Sequence, residues 1–155
     1  MSITSARVRP MEVSDVPRVV EMDRIVFGHT LGEQTLIAEL TEKTLGHYFV
    51  LEDLEGTFIG HIGLWIDVPY AQIMNFYIIP MRQRQGHGKM LLEFALGFLE
   101  AFQVTDITLE VRKSNIKAQT LYSRYAFQIV SSRKNYYPDG EDAYVMLRRN
   151  EGISP

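Results

Sequence analysis

The sequence predicts an α/β fold of the α+β kind: one domain with a mixed, mostly antiparallel sheet flanked by helices. Three observations carry this. β-rich runs at 47–52, 57–66 and 71–79 follow one another through turns, as neighbouring antiparallel strands do. An apolar helical pattern follows Gly88, with Leu91, Ala95, Phe98 and Phe102 in one row and Leu92, Leu96 and Leu99 beside it; both rows are expected to face a core. A further strand at 106–111 completes strand–helix–strand, which requires a parallel neighbour reached by a right-handed crossover. The 155 residues contain no repeat, low-complexity tract or linker, so the domain is expected to span 1–150, with 151–155 a short tail.

The elements follow in order. Ile3 to Arg9 alternates apolar and polar residues and reads as a first strand ending at Pro10. Ser14 or Asp15 caps a helix with Pro17 near its start and Val16, Val19 and Val20 inward. Thr30-Leu31-Gly32-Glu33 has the form of a capping box, so a second helix runs through Leu36, Ile37 and Leu40. The linker between them carries Phe27 as an exposed aromatic. Asp53-Leu54-Glu55-Gly56 turns the first hairpin. Ser114 or Asn115 caps a short helix through Leu121 and Tyr125. Strands at 127–134 and 143–148 close the chain, joined by Asn135-Tyr136-Tyr137-Pro138-Asp139-Gly140.

Composition narrows the function. Apolar content of 46% and charged content of 23% are those of a soluble globular protein. The net charge of −3 offers no global basic field, so direct binding to nucleic acid is not expected. No apolar run approaches the ~20 residues of a membrane span. The absence of cysteine removes disulfides, thiolate metal sites and a cysteine acyl-enzyme, and is compatible with a reducing cytoplasm. His29, His47, His61 and His87 share no ligand-like spacing, so no metal is expected.

The chemistry centres on 75–92. An apolar strand stops at Pro80, a basic loop with Gly86 and Gly88 follows, and a helix begins. Glycines let the main chain approach a ligand, and a helix N-terminus adds partial positive charge. Arg82, Arg84 and Lys89 add full charge. The stretch therefore suits a phosphate or pyrophosphate. It is not the phosphate loop of nucleotide hydrolases, because Met90 stands where a metal-binding hydroxyl belongs; nor is it a dinucleotide fingerprint, because position 91 is leucine.

Gln83-x-x-Gly86-x-Gly88 resembles the acetyl-coenzyme A motif of the GNAT superfamily of N-acetyltransferases. Leu109-Glu110-Val111-Arg112-x-Ser114-Asn115, then Ala118-x-x-Leu121-Tyr122, then Asn135-Tyr136-Tyr137-Pro138, sharpen the resemblance to the bacterial ribosomal-protein-alanine N-acetyltransferases over roughly residues 48 to 147. It implies a GNAT fold and acetyl-coenzyme A as acetyl donor. The acceptor would be a protein N-terminal α-amine, most simply the alanine of a ribosomal protein.

By motif, Glu110 would accept the amine's proton and Tyr122 would donate one to the leaving thiolate. The cofactor would meet Phe76, Tyr77 and Ile78 on the strand, Gln83, Arg84, Gln85, Gly86, His87, Gly88 and Lys89 in the loop, and Asn115. Tyr136 and Tyr137 would grip the acceptor peptide. A monomer or weak dimer in the cytoplasm, with no membrane partner, is expected. Ala126 stands where the family usually has glycine, and 27–30 lacks its Pro-Trp-Ser element. Acetylation of a small-molecule amine or a lysine, and a non-catalytic acyl-coenzyme A sensor, stay open beside this reading. An α-amine, with pKa ≈ 7.7–8.0 against ≈ 10.4 for lysine, suits a single carboxylate base better.

Overall fold

The structure, a computed structural model, describes residues 5–150; Ile3 of the expected first strand and the expected 151–155 tail lie outside them. Seven strands form one sheet in the order β1-β2-β3-β4-β5-β7-β6. The strands are β1 (Ala6–Pro10), β2 (Gly46–Asp53), β3 (Phe58–Asp67), β4 (Tyr70–Ile78), β5 (Asp106–Arg112), β6 (Gln128–Arg133) and β7 (Ala143–Arg149). The helices are α1 (Val16–Phe27), α2 (Glu33–Thr41), α3 (His87–Ala101) and α4 (Ile116–Ser123). The expected elements are all present, most of them shifted by a residue or two at their ends. Two compact units share them: 5–64 with 75–96, and 65–74 with 97–150.

In the first unit β1 pairs antiparallel with β2, Ala6 opposite Asp53 and Pro10 opposite Phe49. Pro17 sits in the first turn of α1, where its missing N–H costs nothing. Asp15 precedes the helix without capping it. Its carboxylate instead accepts from the Glu12 N–H at 2.7 Å and pairs with Arg9 at 2.7 Å. Arg9 and Arg7 each reach the buried Glu52 at 2.9 Å, so that carboxylate is fully compensated.

Val16, Val19, Val20 and Leu36 pack with Tyr48, Val50, Phe58 and Tyr77 into one core. Phe27 is half-buried rather than exposed: its ring meets Tyr77 edge-on at 5.6 Å. The expected capping box of α2 does not form. The N-cap position falls on Gly32, which has no side chain to offer; Thr30 Oγ1 accepts the Gly32 N–H at 3.2 Å and donates to Asp23 at 3.2 Å.

The second unit holds the parallel pair. Tyr70 to Ile73 of β4 run alongside Asp106 to Leu109 of β5. β5 also pairs antiparallel with β7, and β7 with β6. Ile107, Leu109 and Val111 are buried, while Asp106, Thr108, Glu110 and Arg112 point to the opposite face. α3 ends at Ala101 and the chain reverses at Gln103, φ 64°, so Phe102 falls outside the expected apolar row and is 39% exposed.

α4 closes on a left-handed residue, Ala126 at φ 70°. The Ala126 N–H donates to Ser123 O at 3.2 Å and the Phe127 N–H to Tyr122 O at 3.2 Å. A left-handed non-glycine costs about 1–2 kcal/mol, part of which a glycine's extra unfolded-chain entropy would cancel. Ala126→Gly is therefore expected to stabilise by about 0.5–1 kcal/mol and to raise Tm by about 2 °C. A thermal melt that drops instead would show that Ala126 packs usefully where it stands.

Candidate active site

The expected residues fall in two groups, one in each unit. In the first unit β4 runs into a 3-10 turn at Pro80–Arg82, then the loop, then α3. Arg84 (φ 64°) and Gly86 (φ 85°) both adopt the left-handed conformation just ahead of the helix. The Met90 N–H donates to Gly86 O at 3.1 Å and closes the first turn. The main-chain N–H groups ahead of it are the orphan donors of a helix N-terminus. Arg84, Gln85 and Lys89 are exposed around them. The arrangement can hold an anion.

Three of the expected cofactor residues turn their side chains to the protein itself, Gln83 while remaining exposed. Gln83 Nε2 donates to the Ile78 carbonyl at 2.9 Å, tying the loop to the end of β4. His87 is buried, and its Nδ1 lies 3.1 Å from the Arg82 carbonyl, to which it donates. Tyr77 likewise turns its ring into the core. A Cβ on Gly88 would meet Ile78 Cγ1 at 3.8 Å and the Phe76 ring at 4.0 Å, which is ordinary contact. The protein itself does not need a glycine there.

The second group surrounds Glu110, whose side chain is 15% exposed on the open face of β5. Tyr136 O–H donates to Glu110 Oε1 at 2.7 Å, and Arg133 Nε lies 2.6 Å from Glu110 Oε2. The bond to Glu110 pushes the Tyr136 phenol up, so it stays a donor. Sequence reasoning placed Tyr136 on the peptide; the structure places its hydroxyl on the carboxylate. Tyr137 is half-buried, and burial pushes its phenol up to about 12. The Arg112 guanidinium stacks over its ring at 4.1 Å.

Arg112 also pairs with Asp139 and Glu141, both at 2.9 Å, and the Ser114 N–H donates to Glu141 Oε2 at 2.9 Å. Ser114 and then Arg112 hold the Glu141 carboxyl below its ordinary range. Lys113 meets Asp142 at 3.3 Å, and the Asn135 N–H donates to Asp142 Oδ1 at 2.9 Å. The tyrosine loop is thus fastened at both ends to the C-terminal end of β5.

Asn115 caps α4: its Oδ1 accepts the Ala118 N–H at 3.1 Å, leaving its NH₂ group as the donor for a ligand. Tyr122 is buried on α4 beside Phe127, ring centroids 5.7 Å apart. Burial raises its phenol well above the ordinary range, so it keeps its proton at any physiological pH. Arg112, Arg133 and Glu141 are site residues that sequence reasoning left without a role. For Arg112 a signal existed, since it shares the period-two face of Glu110. Among the described residues no three metal-ligating side chains come together, and no helix is long and apolar enough to cross a membrane.

Residues 17–127 match the model of the acetyltransferase (GNAT) family. The chain is 37% identical over 144 residues to a Bacillus subtilis protein provisionally named [ribosomal protein bS18]-alanine N-acetyltransferase, covering 92% of this chain and 95% of that one. It is 31% identical over 139 residues to the [ribosomal protein bS18]-alanine N-acetyltransferase of Escherichia coli, covering 88% and 92%. The crystal structure of the Escherichia coli ribosomal-protein-S18-alanine N-acetyltransferase superposes with a TM-score of 0.82 at 29% identity, over 97% of this chain and 99% of that one. On the strength of a family match across most of its length, and of relatives alike in sequence and fold, the chain belongs to the acetyltransferase (GNAT) family.

Proposed function

We propose that the protein transfers an acetyl group from acetyl-coenzyme A to the α-amine of a protein N-terminus, the acceptor being the N-terminal alanine of a ribosomal protein of the bS18 kind. Near-full-length similarity to proteins named for that reaction supports the acceptor. The observation that carries the chemistry is the seating of Glu110, a carboxylate on an open sheet face beside a fastened tyrosine loop. Glu110 takes a proton from the acceptor's ammonium. The nitrogen lone pair then forms the C–N bond, the C–S bond breaks, and Tyr122 gives its proton to the departing sulfur; the second proton shed by the new amide nitrogen restores the Tyr122 phenol through solvent. The main chain of Phe76, Tyr77 and Ile78 and the NH₂ of Asn115 hold the donor's arm. The amides of Gly86 to Lys89, with Arg84 and Lys89, hold its phosphates. The thioester is already activated, so positioning is most of what the protein supplies. The working compartment is the cytoplasm, and a monomer or weak dimer suffices.

Acceptor choice is tested with three amines: a peptide beginning with alanine, the same peptide N-terminally blocked but carrying a lysine, and a polyamine. The free N-terminus is expected to react at least about tenfold faster at neutral pH, because far more of it is unprotonated. Faster reaction of the lysine or the polyamine would overturn this assignment.

The loop is tested at Gly88 and not at Gly86, whose left-handed backbone strains any substitution. Gly88→Ala adds only the Cβ that the fold accommodates, so it should bind acetyl-coenzyme A within about threefold of the parent and melt no lower. Gly88→Val adds two methyl groups to a Cβ that already touches Ile78 and Phe76, so it should displace the strand end and the loop and weaken binding by about tenfold or more. Equal binding by both variants would reduce the loop to a turn.

Glu110→Gln keeps size and polarity and removes the proton acceptor. The expected loss in kcat/KM is about 10²–10⁴-fold at neutral pH. The loss should shrink as pH rises through the α-amine's range of ≈ 7.7–8.0, because the acceptor then arrives already deprotonated. A constant ratio of variant to parent from about pH 6 to 9.5 would make Glu110 an orienting group only.

A further inference from the structure

We infer that Arg133 is a resident counter-ion that the acceptor's ammonium displaces, and is therefore a specificity-determining residue for cationic amines. The inference rests on the reading of Glu110 as proton acceptor. The two carboxylate oxygens have unlike partners. Oε1 takes a neutral donor, Tyr136 O–H, at 2.7 Å; Oε2 faces a full cation, Arg133 Nε, at 2.6 Å. A neutral donor orients the carboxylate without changing the site's charge. A cation stands where an ammonium would have to stand to lose its proton.

Strand geometry shows that the contact is built. β6 pairs Gln128 with Leu147 and Ile129 with Met146, and then Ser131 with Val145, so Val130 is an inserted residue. Side chains alternate along a strand, and one extra residue reverses the alternation beyond it. Were Val130 paired in the ladder like its neighbours, Arg133 would point to the face opposite Glu110. Because Val130 bulges out, Arg133 stands opposite Ala143, which pairs with Arg112 on the Glu110 face.

A comparison of two arginines on that face gives the direction of the effect. Arg112 is 27% exposed, pairs with both Asp139 and Glu141, and stacks on Tyr137 at 4.1 Å. Such a side chain is locked. Arg133 is 57% exposed, is held by Glu110, and lies 5.8 Å from the Tyr136 ring. A solvent-exposed guanidinium leaves a carboxylate at little cost, since its hydration replaces most of what it gives up. An α-ammonium entering at Oε2 exchanges cation for cation, so Glu110 never stands uncompensated. A neutral nucleophile, such as a hydroxyl or an amide, brings no charge to replace the one expelled.

The test is steady-state kinetics on the alanine-first peptide at saturating acetyl-coenzyme A, for the parent, Arg133→Gln and Arg133→Lys. Removing the competitor should lower the peptide KM by about fivefold in Arg133→Gln, with kcat within about twofold and the KM for acetyl-coenzyme A unchanged. Arg133→Lys keeps the cation and should keep a KM near the parent's. A merely structural arginine on an exposed edge strand would not lower KM when removed. An unchanged or raised KM in Arg133→Gln, or a kcat reduced more than about tenfold, overturns the displacement and leaves the proposed reaction intact. If the parent itself does not acetylate the peptide, both fail together.

Discussion

Strand β5 has to satisfy two neighbours of opposite direction, and the site in its unit follows from how it does so. It runs parallel to β4 and antiparallel to β7. Its strict alternation buries Ile107, Leu109 and Val111 and leaves Asp106, Thr108, Glu110 and Arg112 on the other face. A slip of one residue in either pairing would turn Leu109 out and Glu110 into the core. The hydrophobic register is therefore what fixes the carboxylate. Burial of the apolar row is a stability requirement, and the placement of Glu110 comes with it.

The two groups of functional residues meet charge in different ways. Around the glycine loop the charge expected is external, an anion, and the protein supplies orphan amides and the exposed side chains of Arg84 and Lys89. Around Glu110 the charges answer one another within the protein. Arg112 and Lys113 are met by Asp139, Glu141 and Asp142, and Glu110 by Arg133. The charges around Glu110 are thus balanced locally, while Arg84 and Lys89 stand exposed at the glycine loop. Individually these surface pairs contribute little to stability. Collectively they fasten the tyrosine loop, which is a matter of geometry more than of energy.

Much of this was legible in the sequence, and the exceptions have physical causes. The strand–loop–helix at 75–92 could be read because Gly86 and Gly88 interrupt a pattern that is otherwise unambiguous. The parallel crossover followed from the order of elements. Phe27 and Phe102 were misjudged because exposure of an aromatic at an element's end depends on what packs there, and periodicity does not report that. The capping box at Thr30 failed because its pattern ignored Gly32, the residue on which the helix starts. Gln83 and His87 sit in the right motif but spend their side chains on the protein's own carbonyls. A motif gives a residue's address and says nothing of where its side chain turns.

Arg133 was illegible for a deeper reason. In Gln128 to Arg133 every side chain is exposed, so burial imposes no alternation that would reveal parity. The insertion at Val130 then changes parity without leaving a Gly or Pro to mark it. An edge strand can take such an insertion because one side of it has no ladder to break. The same freedom would be ruinous in β5, where Leu109 must stay inward. Precision at Glu110 thus comes from a central strand with no latitude, and the adjustable cation beside it from an edge strand that has some. The division suits the roles proposed for them, a base that stays fixed and a counter-ion that leaves.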